Sequence, residues 1–327
     1  MTMVPGYRHV PGNHCGSTAL RNLLAFHGLE LTEEMAFGLG AGACFYYLAL
    51  DGQSPSRFTN GRTARLEEQF VELTEAPLRL ETREDPAASW ELARAVVDSG
   101  RPALLLTDLY HLDHYGRSAH FPGHAVVLAG YDGELAYLSD TAFEELQTTS
   151  LESLALARHE QHPAYPLAGH LFHLPDGTML EDLRGSAPPA VQRAAEQMLA
   201  PEWGEFQGLP ALRRFAAEVG GWPQEADDWQ WCARFGYQVI ERRGTGGGNF
   251  RRMYARFLDE VGFDEAALAA EAAERWTSLG GALLAASEAD EPDQRLWSDV
   301  SDEAAGVLEA EERLWTALGS QTNSSWS

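Results

Sequence analysis

The chain contains no lysine, and all 24 of its basic residues are arginines. This absence excludes two kinds of catalytic site, those built on a Schiff-base lysine and those built on the lysine of a phosphate-binding loop. Acidic residues outnumber basic ones by 49 to 24, which gives a formal net charge of −25. A protein this acidic repels nucleic acid and anionic membranes, so we expect neither as a partner.

Cysteine is scarce as well, since only Cys15, Cys44 and Cys232 occur in 327 residues. Three scattered cysteines make neither a disulfide framework nor a four-cysteine zinc site, and we expect reduced thiols. The sequence also lacks an apolar run of membrane-spanning length and the charged and apolar regions of an N-terminal signal peptide. Together these absences predict a soluble, cytoplasmic protein, while the oligomeric state stays open.

The chain is long enough for one large domain or two ordinary ones. Apolar positions at helical spacing predict a helix over residues 15–27, and two apolar runs joined by Asp132-Gly133 predict a β-hairpin. Later the pattern becomes helical, so we predict an α+β fold with an antiparallel sheet in a domain over 1–165 and a mostly helical domain over 180–320. The helices expected in the second domain are 188–200, 209–219, 226–241, 249–261, 264–286 and 299–318.

Cys15 begins the first predicted helix, directly after Asn13 and His14. A helix N-terminus carries partial positive charge and unpaired N–H groups, both of which favour a thiolate and hence a nucleophile. The N–H of Cys15 is also a donor for an oxyanion, and the second donor is left open between Asn13, His14 and His9. The alternative is that Cys15 is a buried filler, as we expect for the other two cysteines.

A cysteine nucleophile needs a base and a group that orients the base. His124 opens the first strand of the predicted hairpin, and Asp140 closes the second. A three-residue turn that pairs Gly130 with Glu134 would place the two directly opposite each other on one face, whereas a two-residue turn would not. We adopt the three-residue turn because it completes a Cys–His–Asp triad. The alternative is that the histidine and the aspartate only end their strands at the surface.

The segment YHLDHYGRSAHFPGH over residues 110–124 supports a rival hypothesis. Its five potential ligands for zinc or iron lie close together in the chain. The HExxH spacing is absent, however, and the glycines and proline of the segment predict a loop, so we expect no metal and keep His120 only as a reserve base. The potential ligands are His111, Asp113, His114, His120 and His124.

The stretch HCGSTALRNLLAFHGLELTEEMAFGLGAGACFYYL resembles the N-terminal domain of the butirosin biosynthesis protein H family. The later stretches GLPALRRFAAEV and IERRGTGGGNFRRMYARFLDE resemble the helical domain that accompanies it, and GHAVVLAGYDG is shared more widely in the papain-like superfamily. The resemblance covers nearly the whole chain. It implies a papain-like fold for the N-terminal domain, with an antiparallel sheet and a cysteine-bearing helix.

This resemblance implies acyl transfer, because the family's namesake moves an acyl group from a carrier-protein thioester to an amine of an aminoglycoside. Cys15 would be the nucleophile, His124 the base and Asp140 the orienting group. The implied partners are an acyl or peptidyl carrier protein and a small-molecule amine acceptor in antibiotic biosynthesis, with no cofactor beyond the phosphopantetheine thioester that carries the substrate. The oxyanion glutamine of many papain-like enzymes has no counterpart, since His9 stands six residues before the cysteine.

The same triad permits other functions. Water and an amine compete for one acyl-enzyme, so a thioesterase, amidase or peptidase is the alternative enzyme. A papain-like domain kept as a non-catalytic, carrier-binding module is a third hypothesis.

Two glycine-rich stretches carry further expectations. In GLGAGACFYY, Gly40 and Gly42 are candidates for lining the acyl pocket, because glycine lets the backbone approach a ligand closely. ERRGTGGGNFRRMYAR combines four glycines with five arginines and is a candidate anion or carrier-docking site. The alternative is a helix–helix turn whose arginines pair with nearby acids. The arginines proposed for this site are Arg242, Arg243, Arg251 and Arg252.

Overall fold

A computed structural model describes residues 1–50, 52–163 and 165–322 of the chain. The fold is α+β with antiparallel sheets and a helical C-terminal region, as predicted. Within the described ranges, no helix is long and apolar enough to cross a membrane.

The chain forms two compact units. Unit 1 comprises residues 1–36 and 64–183, and unit 2 comprises residues 37–63 together with the chain from Arg184 onward. The boundaries expected from the sequence differ from these units, because the segment 37–63 belongs with the C-terminal part and interrupts the first unit in the chain.

The regular elements are as follows. The helices are α1 Cys15–Phe26, α2 Glu33–Leu39, α3 Leu66–Thr74, α4 Pro86–Asp98, α5 Leu151–Ala157, α6 Ala187–Leu199, α7 Gly208–Glu218, α8 Trp222–Glu225, α9 Trp229–Glu241, α10 Arg251–Glu260, α11 Ala266–Ser287 and α12 Gln294–Thr322. The strands are β1 Thr2–Met3, β2 Ala43–Ala49, β3 Arg57–Arg62, β4 Arg79–Glu81, β5 Ala103–Asp108, β6 Pro122–Tyr131, β7 Leu135–Ser139, β8 Gln147–Ser150, β9 Gln161–His162, β10 Tyr165–Pro166 and β11 Leu171–His173.

Unit 1 is built on an antiparallel sheet in the order β4-β11-β5-β6-β7-β8, with β1 pairing to β6 as well. Strand β6 is buried along nearly its whole length, which explains the apolar run AVVLAG at its centre. Helix α1 packs against this strand. The hydrophobic core beside the sheet includes Val96, Leu105, Val126, Leu138 and Leu154. The strand that carries His124 is therefore held on both sides by partners in the sheet.

The hairpin β6–β7 is present, but both registers considered from the sequence are wrong. Gly130 pairs with Tyr137 instead of Glu134, and the turn is closed by the N–H of Asp132 donating to the carbonyl of Leu135. The register then shifts by one residue between Leu128 and Gly130, which is a β-bulge. A bulge leaves no clear signal in an apolar run, so the sequence could not reveal it.

The helices predicted for the C-terminal half are confirmed, as α6, α7, α9, α10, α11 and α12 occupy the expected segments. Helix α12 begins at Gln294, five residues before the predicted start at 299. The hairpin β2–β3 belongs to the same unit and packs against α7 and α9. Fully buried aromatic side chains form the core of unit 2, among them Phe45, Phe215, Trp222 and Trp276.

Candidate active site

Cys15 is the first residue of α1. His14 precedes it as the N-cap in extended conformation, and its Nδ1 accepts a hydrogen bond of 3.3 Å from the N–H of Ser17. The sulfur therefore lies in the first helical turn, where the backbone dipole favours negative charge. The side chain of Cys15 is partly exposed, whereas Cys44 and Cys232 are buried and burial raises the pKa of both their thiols.

The buried carboxylate of Glu33 fixes the backbone that leads into α1. Its oxygens accept the N–H groups of Asn13 at 2.9 and 3.0 Å and of His14 at 2.6 Å, and the hydroxyl of Thr18 at 3.2 Å. A Cβ at Gly12 would lie 2.2 Å from the Thr18 hydroxyl oxygen, so this turn requires glycine. Glu33 is a positioning residue that the sequence does not reveal, since nothing in its position in the chain links it to Cys15.

His124 lies in β6 with its ring between Cys15 and Asp140. Its Nε2 is 3.0 Å from the Asp140 Oδ2, and the Cys15 sulfur forms a hydrogen bond with the same ring. Because Nε2 faces the carboxylate, Nδ1 is the ring nitrogen left for the sulfur. Asp140 follows the last strand pair, Val127 with Ser139, so the aspartate reaches His124 diagonally and not from the directly opposite position that we predicted.

Asp140 has no exposed surface and accepts two further hydrogen bonds. His114 Nε2 lies 3.0 Å from Oδ2, and the hydroxyl of Tyr115 donates to Oδ1 at 3.1 Å. Both residues come from the loop between β5 and β6. The sequence indicates His114 only as a potential metal ligand and gives no sign of Tyr115, because a loop carries no periodic signal.

The electrostatic interactions of this cluster favour a positive charge on His124 and a negative charge on Asp140. Burial acts to lower the pKa of His124, but the charge and hydrogen bond of Asp140, followed by Cys15, outweigh it and raise the pKa to about 10. Burial acts to raise the pKa of Asp140, but His124 and His114 hold it well below its usual range. At neutral pH, an imidazolium therefore faces a carboxylate on one side and the cysteine on the other.

The candidates for the second oxyanion donor differ in how many of their hydrogen-bonding groups already have partners in the structure. Both ring nitrogens of His9 are used, by the Ser139 hydroxyl at 2.7 Å and by the Phe143 carbonyl at 2.8 Å. The Asn13 amide donates one hydrogen to Glu33 at 3.1 Å and carries a second. Asn13 and His14 directly precede α1, whereas the contacts of His9 lie with Ser139 and Phe143, and the choice of second oxyanion donor stays a prediction.

Gly40 and Gly42 are buried in unit 2, in the turn between α2 and β2. A Cβ on Gly42 would lie 2.6 Å from the ring of Phe37, so close packing alone accounts for this glycine. Their expected part in an acyl pocket stays a prediction.

The expected arginine patch is corrected at one position. Arg251 has no exposed surface, and its guanidinium forms an ion pair with the buried Glu311 at 2.8 Å while donating to the carbonyls of Cys44 and Gly61. It is a core residue and does not belong to a docking surface. The sequence could not show this, because its acidic partner lies 60 residues further along the chain.

The other three arginines lie at or near the surface of unit 2. Arg242 and Arg243 are exposed, and the Arg243 guanidinium lies over the Phe235 ring at 4.9 Å. Arg252 is about one-third exposed and forms an ion pair with Glu274 at 3.3 Å. Only Arg242, Arg243 and Arg252 therefore remain as candidates for docking an acidic partner.

The glycine-rich loop before α10 is filled by protein groups. The N–H of Gly248 donates to the Glu241 carboxylate at 3.0 Å, and the N–H of Gly247 donates to the Thr245 hydroxyl at 2.9 Å. A Cβ on Gly248 would lie 2.7 Å from the Ala273 carbonyl, so the loop packs directly on α11. These contacts favour the helix–helix turn over the anion site.

Comparison with protein families gives two matches. Residues 14–141 match the family model described as butirosin biosynthesis protein H, N-terminal. Residues 152–318 match one described as a domain of unknown function, DUF4872. No curated protein matches the sequence. The N-terminal part of the chain therefore carries a domain of the butirosin biosynthesis protein H type, and the chain belongs through residues 152–318, about half of its length, to the family of DUF4872.

Proposed function

We propose that the protein is a cysteine-dependent acyltransferase with a papain-like catalytic arrangement. Cys15 would take an acyl or aminoacyl group from a carrier-protein thioester and pass it to an amine. The observation that carries the proposal is the continuous hydrogen-bonded chain from Cys15 through His124 to Asp140, which has the order of groups that nucleophilic cysteine catalysis needs.

The resting site would hold a thiolate and an imidazolium. The thiolate of Cys15 raises the pKa of His124, and by reciprocity the imidazolium stabilises the thiolate by the same free energy. The Asp140 carboxylate fixes the ring and disperses the positive charge. A thiolate is far more nucleophilic than a thiol, so this ion pair prepares the first step.

In the first half-reaction, the Cys15 sulfur attacks the thioester carbonyl, and the carbonyl electron pair moves to oxygen. The N–H of Cys15 and the second N–H of the Asn13 amide are the proposed donors to that oxyanion. When the tetrahedral intermediate collapses, the bond to the pantetheine sulfur breaks. His124 gives its proton to the departing thiolate, leaving an acyl-Cys15 and a neutral imidazole.

Acylation removes the negative charge from Cys15 and with it one of the causes that raise the pKa of His124. The imidazole is then a base for the incoming amine, whose nitrogen attacks the acyl carbonyl and loses a proton to the ring. Collapse breaks the carbon–sulfur bond, releases an amide and restores the thiolate. A thioester is more reactive than an amide, so the overall transfer needs no further energy source.

The partners follow from the family. Its name connects it with biosynthesis of the antibiotic butirosin, and we extend this to a role in making a natural product from a carrier-bound acyl group and a small-molecule amine. Hydrolysis remains the alternative outcome, since water attacking the same acyl-enzyme would give a thioesterase or amidase. A carrier-binding module without chemistry would leave Cys15 unacylated.

Intact-mass spectrometry tests the proposal. The full chain is mixed with a series of acyl-pantetheine thioesters, and we expect a mass increase equal to one acyl group that is lost in Cys15→Ala. Cys232→Ala is the matched control and should acylate like the unchanged protein, because that thiol is buried beside Asp228. Absence of any adduct across the series, or an adduct that survives Cys15→Ala, would contradict the mechanism.

Product analysis then separates transfer from hydrolysis. Added amines should be consumed and appear in amides, at the expense of released acid. If only free acid forms with every amine supplied, the hydrolase is the correct function of the triad.

A further inference from the structure

Three side chains outside the proposed triad converge in unit 1. One ring nitrogen from each of His111 and His120 and one carboxylate oxygen of Glu160 all lie within 4.8 Å of one another. His111 ends a short 3₁₀ helix after β5, His120 precedes β6, and Glu160 follows α5. Groups from three separate segments thus meet at one point, and two imidazoles with one carboxylate are a ligand set that divalent transition metals favour.

A carboxylate behind the cluster orients one of its histidines. His120 Nδ1 is 2.9 Å from the Oδ2 of Asp108, which has no exposed surface and also accepts the N–H groups of Tyr110 and Phe121 at 2.9 Å. The His120 ring stacks on Tyr110 with centroids 4.1 Å apart. Nε2 is therefore the nitrogen left to face the cluster, and a buried carboxylate on the far nitrogen of a ligating histidine is the usual outer partner in metal sites.

The separations suit a small metal ion after minor side-chain rotation. Ligand atoms about 2.0–2.1 Å from a tetrahedral zinc ion are roughly 3.3 Å apart. In the structure His111 Nε2 and Glu160 Oε2 are 2.6 Å apart, as a hydrogen-bonded pair. A bound ion would take the place of that shared proton and draw His120 toward the pair.

We propose that His111, His120 and Glu160 bind one divalent transition-metal ion of the Zn²⁺ class, with Asp108 as the group that orients His120. Three protein ligands leave a fourth position for water. The site differs from the metal hypothesis drawn from the sequence, because Asp113 accepts the Ser150 N–H and the Ser153 hydroxyl at the start of α5. The other two ligands of that hypothesis, His114 and His124, contact Asp140 instead.

The location also gives the ion a structural consequence. His111 and His120 lie on either side, in the chain, of His114 and Tyr115, which hold Asp140. An ion that ties both ends of this loop to Glu160 would restrict the loop that positions the Asp140 carboxylate. The ion would therefore act on the position of Asp140, but its binding requires no acyl-transfer chemistry and is tested without it.

The test is isothermal titration of the metal-stripped full chain with Zn²⁺, followed by visible spectroscopy with Co²⁺ as a probe of four- or five-coordinate geometry. The chain carries Cys15→Ser, so that the thiol cannot bind the metal. We expect one ion per chain at this site and about tenfold or greater weakening in both His120→Gln and Glu160→Gln. Asp108→Asn should weaken binding roughly 10- to 100-fold through its effect on His120.

Glu81→Gln is the matched control. Glu81 pairs with His173 at 3.1 Å, and its side chain is 27% exposed, the same fraction as Glu160. Among the residues that the structure describes, no second histidine joins that pair to form a group of metal ligands. Binding should be unchanged in this variant. Circular dichroism without metal establishes that each variant is folded, and Glu160→Gln, the more conservative change, decides the matter if His120→Gln unfolds.

Two results would overturn the proposal. One is the absence of binding tighter than about 0.1 mM, a concentration at which many surface groups take up zinc weakly. The other is binding of equal strength in Glu160→Gln and Glu81→Gln, which would place the ion elsewhere on the chain.

Discussion

Each unit of the molecule contains a carboxylate with no exposed surface that is surrounded by hydrogen-bond donors. In unit 1, Asp140 accepts from two histidines and a tyrosine. In unit 2, Glu311 accepts from Arg251 and from the indole N–H groups of two tryptophans, Trp276 and Trp315. The two clusters solve the same problem, since a buried charge without partners would be strongly destabilising.

The two clusters differ in what the cationic side chain, His124 or Arg251, contacts besides its carboxylate. The N–H groups of Arg251 that do not face Glu311 donate to the backbone carbonyls of Cys44 and Gly61. His124 can lose its proton, and its ring continues to the partly exposed Cys15. Burial and ion pairing are therefore common to both clusters. The Asp140 cluster differs in having a histidine in contact with a partly exposed cysteine.

The proposed difference between the Asp140 and Glu311 clusters would be contradicted most clearly if Asp140→Asn left acyl transfer intact. This change keeps the shape of the side chain but removes the charge that supports the imidazolium. We expect acyl transfer to fall by roughly 10²–10⁴-fold, by analogy with the orienting aspartate of serine proteases. Single-turnover acylation of Cys15 measures the effect, and an unchanged rate would exclude Asp140 from the triad.

Asp140→Asn should also change how the stability of the fold depends on pH. A histidine whose pKa is raised to about 10 stabilises the fold fully below its ordinary value of about 6.5 and loses that contribution as the pH rises toward 10. The difference in melting temperature between the unchanged protein and Asp140→Asn should therefore shrink between pH 6.5 and pH 10. A difference that is constant over this range would contradict the assigned ion pair.

Substitutions in the Glu311 cluster should lower the stability of the fold and leave the chemistry of Cys15 unchanged. Arg251→Met leaves Glu311 charged and buried, and we expect a loss of about 3–5 kcal/mol in the free energy of unfolding. Differential scanning calorimetry should show a melting temperature lower by about 6–20 °C. Below that temperature, acylation of Cys15 should be retained.

Arg252→Met is the control for that substitution. Its partner Glu274 is 73% exposed, and a surface pair of this kind contributes about 0–1 kcal/mol. Equal effects of the two substitutions would show that the Arg251 pair is no more important to folding than an ordinary surface contact.

A third experiment tests the pair that His124 forms with Cys15 in the Asp140 cluster. Iodoacetamide should label Cys15 at a rate that changes little from pH 6.5 to pH 9, because the imidazolium that stabilises the thiolate persists up to about pH 10. In His124→Ala the thiol should return to an ordinary pKa near 8.5, so labelling at pH 6.5 should slow by about 100-fold. A steep pH dependence in the unchanged protein would mean that no such ion pair forms.

The smallest effect is expected for arginines outside the clusters. If exposed Arg242 and Arg243 contribute to docking an acidic carrier protein, the double change to Glu should raise the apparent KM for the carrier-bound donor several-fold, with kcat unchanged and a weaker dependence on salt. Arg313→Glu, at an exposed arginine that pairs with Glu271, is the control. Equal effects of the two would indicate a general charge effect instead of a docking site.

Local patterns in the sequence predicted the fold better than they predicted contacts. The C-terminal helices were predictable because each carries apolar residues at helical spacing over ten residues or more. The start of α1 at Cys15 was predictable from the turn residues before it, and its end from Gly28. The predicted hairpin register was wrong already at the turn, which lies at Gly133-Glu134 and not at Asp132-Gly133, and the β-bulge between Leu128 and Gly130 then shifts it by one residue more.

The site was predictable only in its chemical types. A cysteine, a histidine and an aspartate were chosen because their reactions fit together, and the diagonal contact between His124 and Asp140 appears in the structure despite the wrong register. Tyr115 was missed and His114 was considered only as a metal ligand, since loop residues meet through the fold and carry no spacing that reveals their neighbours. Glu33, the first residue of α2, was missed because nothing in its position in the chain links it to Cys15.

The interruption of unit 1 by residues 37–63 affects how the protein is made. The hairpin β2–β3 leaves the ribosome early, but helices α7 and α9, which cover it, are complete only at Glu218 and Glu241. At 5–20 residues per second, this interval lasts on the order of ten to forty seconds. During this interval the apolar side chains of Phe45 and Tyr47, which are buried in the complete unit, are exposed on the nascent chain. Truncated proteins that end before α9 should therefore aggregate or require chaperones.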